Sequence, residues 1–568
     1  MSLRVLSAAL AGGICLAGVV VCAAPASAVD PTGPVQVAIA VPITVPENSG
    51  ALIPADALIQ YTSPLGTLTR QLDAVVDRPV ALGIDPRIIV SIRILGSSAP
   101  VGASAWLQRL SDASNETFPL AYADSDMTLA TQAGSIAVLE PDGFDFAIDP
   151  ELFRESGATT EPTATSTSSP SLAPTSTTTS TPVAPPVAPE VPALPTSADL
   201  LSWPYSLTGI AWPVDATAVV SDLPAITSSG YTTTILTSGN LNSVAGAGAI
   251  ADVDGARVLV SQDSVAAPFR TAARASNTAD WQAAVDQLSV AIADTALAQS
   301  GTTATVFATL DREPLRSGDR VSDTITSLQS NPNIRMVGLG AALATTASTA
   351  TVVDTPQAAE RIALMRQLLE AQAAEVQFAG IAEDPIAITA ARRLELLAIS
   401  ASGWSNNPSG WPVAVEDNLA ASRELRRSVQ VASTGDFNFL AASAPLPIAV
   451  TNDLDQPVTV FVTVRPDTGL LSVGESRVEL TIEPNSQASA RIPVQAVSNG
   501  VVGVTITLAS STGVAIGETS RASINVQAGW ETPVVIVIAS LVVAVFGAGL
   551  IRNIVRLRRA AAAKGSGL

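Results

Sequence analysis

The stretch VQVAIAVPIT, residues 35–44, carries apolar side chains at nearly every position and lies between turn residues. A strand that is apolar on both faces is typical of a parallel sheet covered by helices. Seven further runs share this composition: VALGIDP (80–86), FPLAYAD (118–124), LTGIAWP (207–213), TTTILTS (232–238), RVLVSQD (257–263), TATVFATLD (303–311) and IRMVGLG (334–340). The runs therefore predict parallel strands.

Segments of helical character separate these runs, among them TLTRQLDAVV, SAWLQRLSDA and TADWQAAVDQLSVAIADTALAQ. Strands that alternate with helices indicate βα units. Eight such units in about 270 residues favour a closed (β/α) barrel or a near relative, built from residues 29–154 and 196–353. The predicted fold class of this region is α/β.

Aspartates recur where the predicted strands end. Asp85, Asp124, Asp263 and Asp311 close four of the runs, and Asp126 follows two residues after Asp124. In a barrel all carboxyl ends of the strands lie on one face, where catalytic residues are found, so these five are the candidate catalytic residues. Aspartate is also a favoured turn and helix N-cap residue, and the Asp-Pro pair at 85–86 suits that role. Both interpretations stay open.

Paired carboxylates would suffice for a glycoside hydrolase. Such enzymes hold two carboxyl groups ~5 to 5.5 Å apart when they retain the anomeric configuration and ~6.5 to 9.5 Å apart when they invert it. The candidate pair is Asp85 with Asp124 or Asp126, Asp263 or Asp311 is the alternative second acid, and one member needs a raised pKa. Tyr122 and Trp212 are candidate ligand-binding residues that could stack on a sugar ring, although packing at the barrel rim would explain them as well.

The residue types that are missing exclude most other chemistry. The chain has no His, its two Cys are Cys15 and Cys22, and its single Lys is Lys564 near the end. Without these residue types between the two ends, Ser/His/Asp and Cys/His triads, lysine nucleophiles, disulfides and zinc sites of His or Cys are excluded there. We therefore predict no metal and no cofactor.

The sequences at both ends of the chain indicate export and membrane anchoring. Residues 1–28 have one positive charge, a long apolar stretch and a small-residue cleavage pattern, which predicts a signal peptide. Residues 533–551 are uncharged and apolar over nearly the length that spans a bilayer, and five basic residues follow in 552–568. By the positive-inside tendency, that tail is cytoplasmic and the large remainder is extracytoplasmic on a single-pass anchor. This exported part has 24 basic against 50 acidic residues, a net charge of −26, and so predicts no nucleic-acid partner.

The rest of the chain divides by composition. Residues 155–195 are almost wholly Ser, Thr, Pro and Ala and predict a disordered insert. Residues 354–430 predict a helical accessory region whose first helix takes Thr355 as its N-cap. Clustered arginines in this region read as a solvated face or as partners for acids: Arg392, Arg393, Arg423, Arg426 and Arg427. Residues 431–528 alternate apolar and polar side chains between turns, which predicts an antiparallel, immunoglobulin-like β-sandwich acting as a stalk.

Several short motifs together resemble a known family. They are VALGIDP, FPLAYADSD, the WP pair at 212–213, TNDLDQPVTV in the sandwich and the single terminal span. The chain resembles uncharacterised actinobacterial envelope proteins that are commonly encoded beside the lipid II flippase. The resemblance implies an envelope setting linked to peptidoglycan assembly and supplies no catalytic residue. A looser similarity to polysaccharide deacetylases implies a metal held by one Asp and two His, which this chain cannot supply.

Two functions follow from these observations. The first is a non-catalytic envelope protein that binds a glycan or a wall-synthesis protein. The second is a glycoside hydrolase or transglycosylase that acts through paired aspartates. A purely structural spacer would leave the predicted barrel without a role. We favour the first, because the chain lacks the common nucleophiles.

Overall fold

The computed structural model describes residues 33–154, 194–243, 248–299, 303–313, 318–432, 435, 437–527 and 531–562. The α-helices are α1 (Ala55–Tyr61), α2 (Thr67–Val75), α3 (Pro86–Arg93), α4 (Val101–Asp112), α5 (Met127–Gln132), α6 (Ser197–Leu201), α7 (Asp222–Ser228), α8 (Asp263–Arg274), α9 (Thr278–Ala298), α10 (Gly318–Ser330), α11 (Leu339–Leu343), α12 (Ala359–Ala379), α13 (Pro385–Ile399), α14 (Trp411–Arg427) and α15 (Glu531–Ala562).

The strands of the first part of the chain are β1 (Val35–Ile43), β2 (Ala81–Ile84), β3 (Thr117–Pro119), β4 (Ile210–Ala211), β5 (Thr233–Thr237), β6 (Leu241–Ser243), β7 (Ile250–Val253), β8 (Ala256–Ser261), β9 (Thr305–Thr309), β10 (Ile334–Met336) and β11 (Ser348–Val352). Those of the second part are β12 (Val429–Val431), β13 (Phe437–Phe439), β14 (Ser443–Asn452), β15 (Val458–Pro466), β16 (Leu471–Val473), β17 (Arg477–Ile482), β18 (Ser486–Ala496), β19 (Gly500–Ala509) and β20 (Ala515–Val526).

The first part, which we call the α/β unit, contains two sheets shaped as half-barrels, one parallel and one mixed. In one, β1 pairs in parallel with β9, β2 and β10, and β2 pairs in parallel with β3. In the other, β4, β5 and β8 pair in parallel. Each of the eight predicted runs thus contains a strand, and these strands pair with one another in parallel.

The sequence patterns missed three short strands of the second half-barrel. β7 pairs antiparallel with β8, and β11 joins β7 to β6 at the edge of the sheet. Backbone hydrogen bonds also join the two half-barrels at two places, from Gln262 N to Phe307 O at 2.9 Å and from Leu207 N to Thr117 O at 3.0 Å.

The central strand β1 shows why its run is apolar on both faces. Val37, Ile39 and Val41 pack in the core formed with helices α2, α3, α8 and α10. Ala38 and Ala40 point the other way, into a cluster with side chains of both half-barrels such as Phe118, Phe307 and Leu259. Because successive side chains of a strand alternate, one strand supplies both cores, and small alanines leave room for the large rings.

Helices α12, α13 and α14 form a layer that packs on the α/β unit around Leu394, Trp404 and Trp411. The predicted N-cap of the first of these helices is wrong. Helix α12 begins at Ala359 after Ala358, while the Thr355 hydroxyl donates to Val353 O and accepts from Asn240 Nδ2. The Thr355 hydroxyl therefore bonds to Asn240, a residue distant in the sequence, instead of capping the helix.

The second part is all β. One sheet has the order β12-β14-β18-β16 and the other the order β13-β20-β19-β15-β17, with antiparallel pairs except for the parallel pair of β13 and β20. Alternate residues of both sheets, such as Val460, Val462 and Val464 of β15, fill one core. Two antiparallel sheets that share a core explain the alternation in the sequence.

Asn452, in the motif TNDLDQ, holds the turn between β14 and β15. Its fully buried side chain donates to Gln456 O at 2.9 Å, Glu483 O at 3.0 Å and Ile482 O at 3.3 Å. We expect Asn452→Ser to lower the free energy of unfolding of the β-sheet region by about 2 kcal/mol, because one buried and two part-buried carbonyls lose their donor. Urea unfolding measures this, with the exposed Asn525→Ser as the control, for which we expect a change within about 0.5 kcal/mol. Equal effects of the two substitutions would contradict the assignment.

Helix α15 contains the stretch Val534–Arg559, which is long and apolar enough to cross a membrane and does not pack inside the protein. It includes most of the predicted span 533–551 and continues into the basic segment. The predicted signal peptide, residues 1–28, lies outside the described residues, as do the insert at 155–193 and the last six residues of the tail.

Candidate functional site

The carboxyl ends of β1, β2, β3 and β9 meet beneath the helical layer, and FPLAYADSD, residues 118–126, crosses this face. After β3 the chain turns through two consecutive residues in the left-handed region, Ala123 at φ 59° and Asp124 at φ 49°. Left-handed backbone is strained for a residue with a β-carbon, and such strain tends to persist where a functional or structural constraint holds it. Here the turn directs Asp124 into the protein.

The helical layer fixes this turn from above. Asp126 N donates to Ser400 O at 2.7 Å, and Ser402 Oγ donates to Asp124 O at 3.0 Å. Ser125 and Ala401 form an antiparallel bridge. The face that the sequence predicts as the place of the candidate catalytic residues is therefore partly covered by residues 400–406.

Asp124 forms a bidentate ion pair with Arg312, which follows the end of β9. Arg312 Nη2 lies 3.0 Å from Asp124 Oδ1 and Nε lies 3.1 Å from Oδ2, and both side chains are only 7% exposed. Burial raises the pKa of Asp124, while the Arg312 guanidinium opposes that rise. Arg312 also donates to Trp212 O at 2.7 Å, so one guanidinium joins β3, β4 and β9.

Trp212 is buried against this ion pair. The Arg312 guanidinium carbon lies 4.3 Å from the centre of the Trp212 ring, and Phe118 lies near it at a centroid distance of 6.1 Å. A cation over an indole face is attracted by the ring quadrupole. The Trp212 Nε1 has no hydrogen-bond partner within the described part of the chain. In this arrangement the ring packs inside the protein.

Asp85 follows β2 and caps helix α3, because its Oδ1 accepts from Arg87 N at 2.9 Å. The carboxyl group is buried, and burial raises its pKa to about 7; Arg87 opposes this shift and Asp124 adds to it. Asp85 thus has the raised pKa expected of a general acid and also the capping role that local sequence suggested.

Asp85 and Asp124 line one cavity with Gln71, Arg87 and Arg312. Its volume of about 30 Å³ holds one or two water molecules, whereas pockets for organic ligands measure roughly 300 to 1,000 Å³. Gln71 Oε1 and Arg87 Nε are buried there without a partner in the described residues. A buried water bridging these groups would satisfy them, but a sugar ring would need residues 400–406 to move.

A second cavity, of about 240 Å³, lies beside the first and shares Arg312 and Asn406 with it. Its charged lining is a network of ion pairs. Arg270 Nη2 lies 2.5 Å from Asp215 Oδ2, and Arg274 contacts Asp311 and lies 2.6 Å from Glu313.

The remaining candidates point elsewhere. Asp126 caps helix α5 by accepting from Thr128 N at 3.1 Å and also accepts from Gln357 Nε2 at 2.5 Å. Asp263 accepts from Gly239 N at 2.7 Å. Tyr122 is buried, with its ring 5.7 Å from that of Phe144.

The structure therefore brings Asp85 and Asp124 to one cavity and Asp311 to the next, whereas Asp126 and Asp263 line neither cavity and accept hydrogen bonds elsewhere. Sequence reasoning missed Arg312, Asp215, Arg270 and Arg274. Asp215 and Arg312 follow strand ends just as the chosen aspartates do, so the same signal could have found them. Among the described residues, no group of three or more acidic, His or Cys side chains could hold a metal ion.

Comparisons with known proteins give a family and distant structural likenesses. A family model described as "Family of unknown function (DUF6049)" matches residues 11–562, nearly the whole chain. No curated protein matches the chain.

Among solved structures, the α-amylase AmyC of Thermotoga maritima is 9% identical, with 69% of this chain and 93% of that chain covered and a TM-score of 0.39. The α-2-macroglobulin of Escherichia coli is 19% identical, with a TM-score of 0.15; the match covers 18% of this chain and 7% of that one. The E. coli chaperone DraB is 12% identical, with 18% and 55% covered and a TM-score of 0.14.

Proposed function

The chain belongs to that family of unknown function, and we propose that it is a membrane-anchored, extracytoplasmic envelope protein that binds a glycan or a wall-synthesis protein without catalysis. The observation that carries this proposal is the state of the five candidate aspartates. Each is already bonded within the chain, as a helix cap, an ion pair or an acceptor of a backbone N–H. Carboxylates committed in this way serve the architecture of the face rather than a reaction.

The proposed site is the cavity of about 240 Å³ on the carboxyl-end face. Asp215, Asp311 and Glu313 accept hydrogen bonds, while Ser405 and Asn406 both donate and accept them, which suits sugar hydroxyls. We propose that the two half-barrels form one closed (β/α) ring beneath it, a proposal supported by the two backbone hydrogen bonds between them.

The envelope setting rests on the two ends of the chain. We propose that residues 1–28 are a signal peptide, that 552–568 is cytoplasmic, and that the immunoglobulin-like sandwich of 431–528 acts as a stalk above the span. The apolar stretch Val534–Arg559 supports the anchor. The resemblance to actinobacterial proteins encoded beside the lipid II flippase supports a role in cell-wall assembly. The remaining domain boundaries stay as the sequence predicts them.

A glycoside hydrolase is the alternative, and one observation favours it. Asp85, whose pKa burial raises to about 7, shares a cavity with Asp124. A protonated acid beside a second carboxylate is what glycoside hydrolysis requires. The small cavity volume argues against it unless the helical layer opens.

A sedimentation assay distinguishes the two functions. Full-length protein in lipid nanodiscs is incubated with insoluble peptidoglycan or arabinogalactan, and retained protein and released reducing sugar are both measured. We expect wild-type protein and Asp85→Asn to be retained equally and neither to release sugar. The matched control is Asp384→Asn, because Asp384 is an exposed Asp-Pro cap at the start of α13.

Two results would overturn the proposal. Sugar release by wild-type protein and Asp384→Asn, but not by Asp85→Asn, would establish the hydrolase. The binding role would be excluded if the protein were retained on neither polymer and also bound no component of an envelope extract that contains the wall-synthesis proteins.

A further inference from the structure

A separate cavity lies where the helical layer meets the β-sheet region. It measures about 370 Å³ and is lined by α12, α14 and the start of β20. We call it the arginine pocket, after Arg423, Arg426 and Arg427, which line it from the last two turns of α14. Positions three and four apart on a helix share a face, so the three guanidinium groups can converge.

Most of this positive charge is uncompensated. Arg427 lies 2.8 Å from Glu518, and both side chains are well exposed. Arg426 uses its Nε for Ser422 O of its own helix, at 3.3 Å. Within the described part of the chain, neither Arg423 nor Arg426 has an acidic partner within 4.0 Å, whereas the nearby Arg392 pairs with Glu375 and Glu395. The interpretation of the cluster as partners for acids therefore holds for Arg392 and Arg427 only.

Basic residues near the carboxyl end of a helix stabilise its dipole, and that alone would explain arginines on α14. It does not explain a cavity of ligand size in front of them. The opposite walls combine a polar side chain, Gln377, with the apolar Phe378 and Ala515. Such a lining suits a sugar ring beside an anionic group.

We propose that the arginine pocket binds a phosphorylated sugar. Arginine forks match the oxygens of a phosphate, and charge-assisted bonds of this kind are strong. In a chain whose exported part carries a charge of −26, a cavity with two unpaired cations is a local exception to the general repulsion of anions. The site is distinct from the carboxyl-end face and does not depend on its function.

The length of β20 indicates that the phosphorylated sugar is a soluble molecule or part of a polymer rather than a lipid headgroup. β20 runs from Ala515, at the pocket, to Val526, shortly before α15. Eleven steps of about 3.4 Å give a length of about 37 Å between these residues. The strand is thus long enough to hold the pocket clear of a surface that contacts its far end.

Isothermal titration of full-length protein in phosphatidylcholine nanodiscs with glucose 6-phosphate tests the proposal. We expect saturable binding that weakens with added salt, and we expect Arg423→Gln/Arg426→Gln to weaken it at least about tenfold. The matched control, Arg465→Gln/Arg491→Gln, removes the same charge from exposed arginines of the sheets and is expected to change affinity less than about twofold.

A variant that is expected to bind the ligand more tightly shows that the loss of affinity in the double variant is not caused by misfolding. Glu518→Gln removes the acid that pairs with Arg427, so we expect it to tighten binding several-fold.

Titrations with other ligands identify the chemical class of the ligand. Neutral glucose should not bind, and glucuronate should bind more weakly than glucose 6-phosphate. Inorganic phosphate that binds as tightly as glucose 6-phosphate would overturn the sugar part of the proposal. Equal losses in both double variants, no binding by wild-type protein at millimolar ligand, or binding only in phosphatidylglycerol nanodiscs would overturn the site.

Discussion

Replacing Arg312 with glutamine should lower the free energy of unfolding of the α/β unit by about 3 to 5 kcal/mol. The substitution leaves the Asp124 carboxylate buried without its partner, and an uncompensated buried charge is strongly destabilising. The two side chains are each 7% exposed, so the few water molecules that the adjoining cavities can hold replace the lost charge pairing only in part. Trp212 also loses the cation over its ring.

A double-mutant cycle separates the pair from its surroundings. Asp124→Asn keeps a residue type that tolerates the left-handed backbone at this position, and it should be destabilising by itself because Arg312 is left unpaired. The double variant Asp124→Asn/Arg312→Gln removes both charges and should cost less than the sum of the single variants.

Urea unfolding followed by tryptophan fluorescence measures these changes, since Trp212 lies on the pair. Arg320→Gln is the matched control, because Arg320 is also near a tryptophan, Trp281, and its ion pair with Asp323 is more exposed. We expect that control to cost less than about 1 kcal/mol. Additive single and double effects would contradict a coupled, buried pair.

The sequence predicted the strands well because their signal is local. A run such as VQVAIAVPIT is apolar at nearly every position over the length of one strand, which is typical of a strand covered on both faces, and the alternation in VTVFVTV is typical of a sheet with one buried face. Strands β6 and β11 lack such a signal, because LNS and STATV are short and largely polar. They are strands because they pair with neighbouring strands of the sheet.

The site was less predictable because it depends on long-range contacts. Nothing near Asp124 indicates that its partner lies 188 residues away, at Arg312. Similarly, the segment from Ser400 to Asn406 covers the carboxyl-end face through hydrogen bonds to residues near 125, and no periodicity encodes that contact. The capping interpretation that the sequence left open holds for Asp85 and Asp126, since N-cap chemistry is settled within three residues.

Asp85→Asn should remove a pH-dependent loss of stability that the wild-type protein shows between about pH 4 and pH 7. Burial raises the pKa of Asp85 from 3.8 to about 7 in the folded protein. A carboxyl group with a raised folded pKa contributes stability that is fully present below its unfolded pKa and is lost as the pH rises through the folded pKa. A difference of this size corresponds to about 4 kcal/mol.

Asparagine also caps helices, so Asp85→Asn keeps the acceptor for Arg87 N while it removes the titration. Urea unfolding at pH 4, 5, 6, 7 and 8 measures the free energy of unfolding of both proteins. Relative to wild type, the free energy of unfolding of the variant should increase as the pH rises, by about 4 kcal/mol in all. Asp384→Asn, the exposed Asp-Pro cap, should show no such gain. Parallel curves for Asp85→Asn and wild type would mean that Asp85 ionises with the unfolded pKa, and the hydrolase alternative would then lose its general acid.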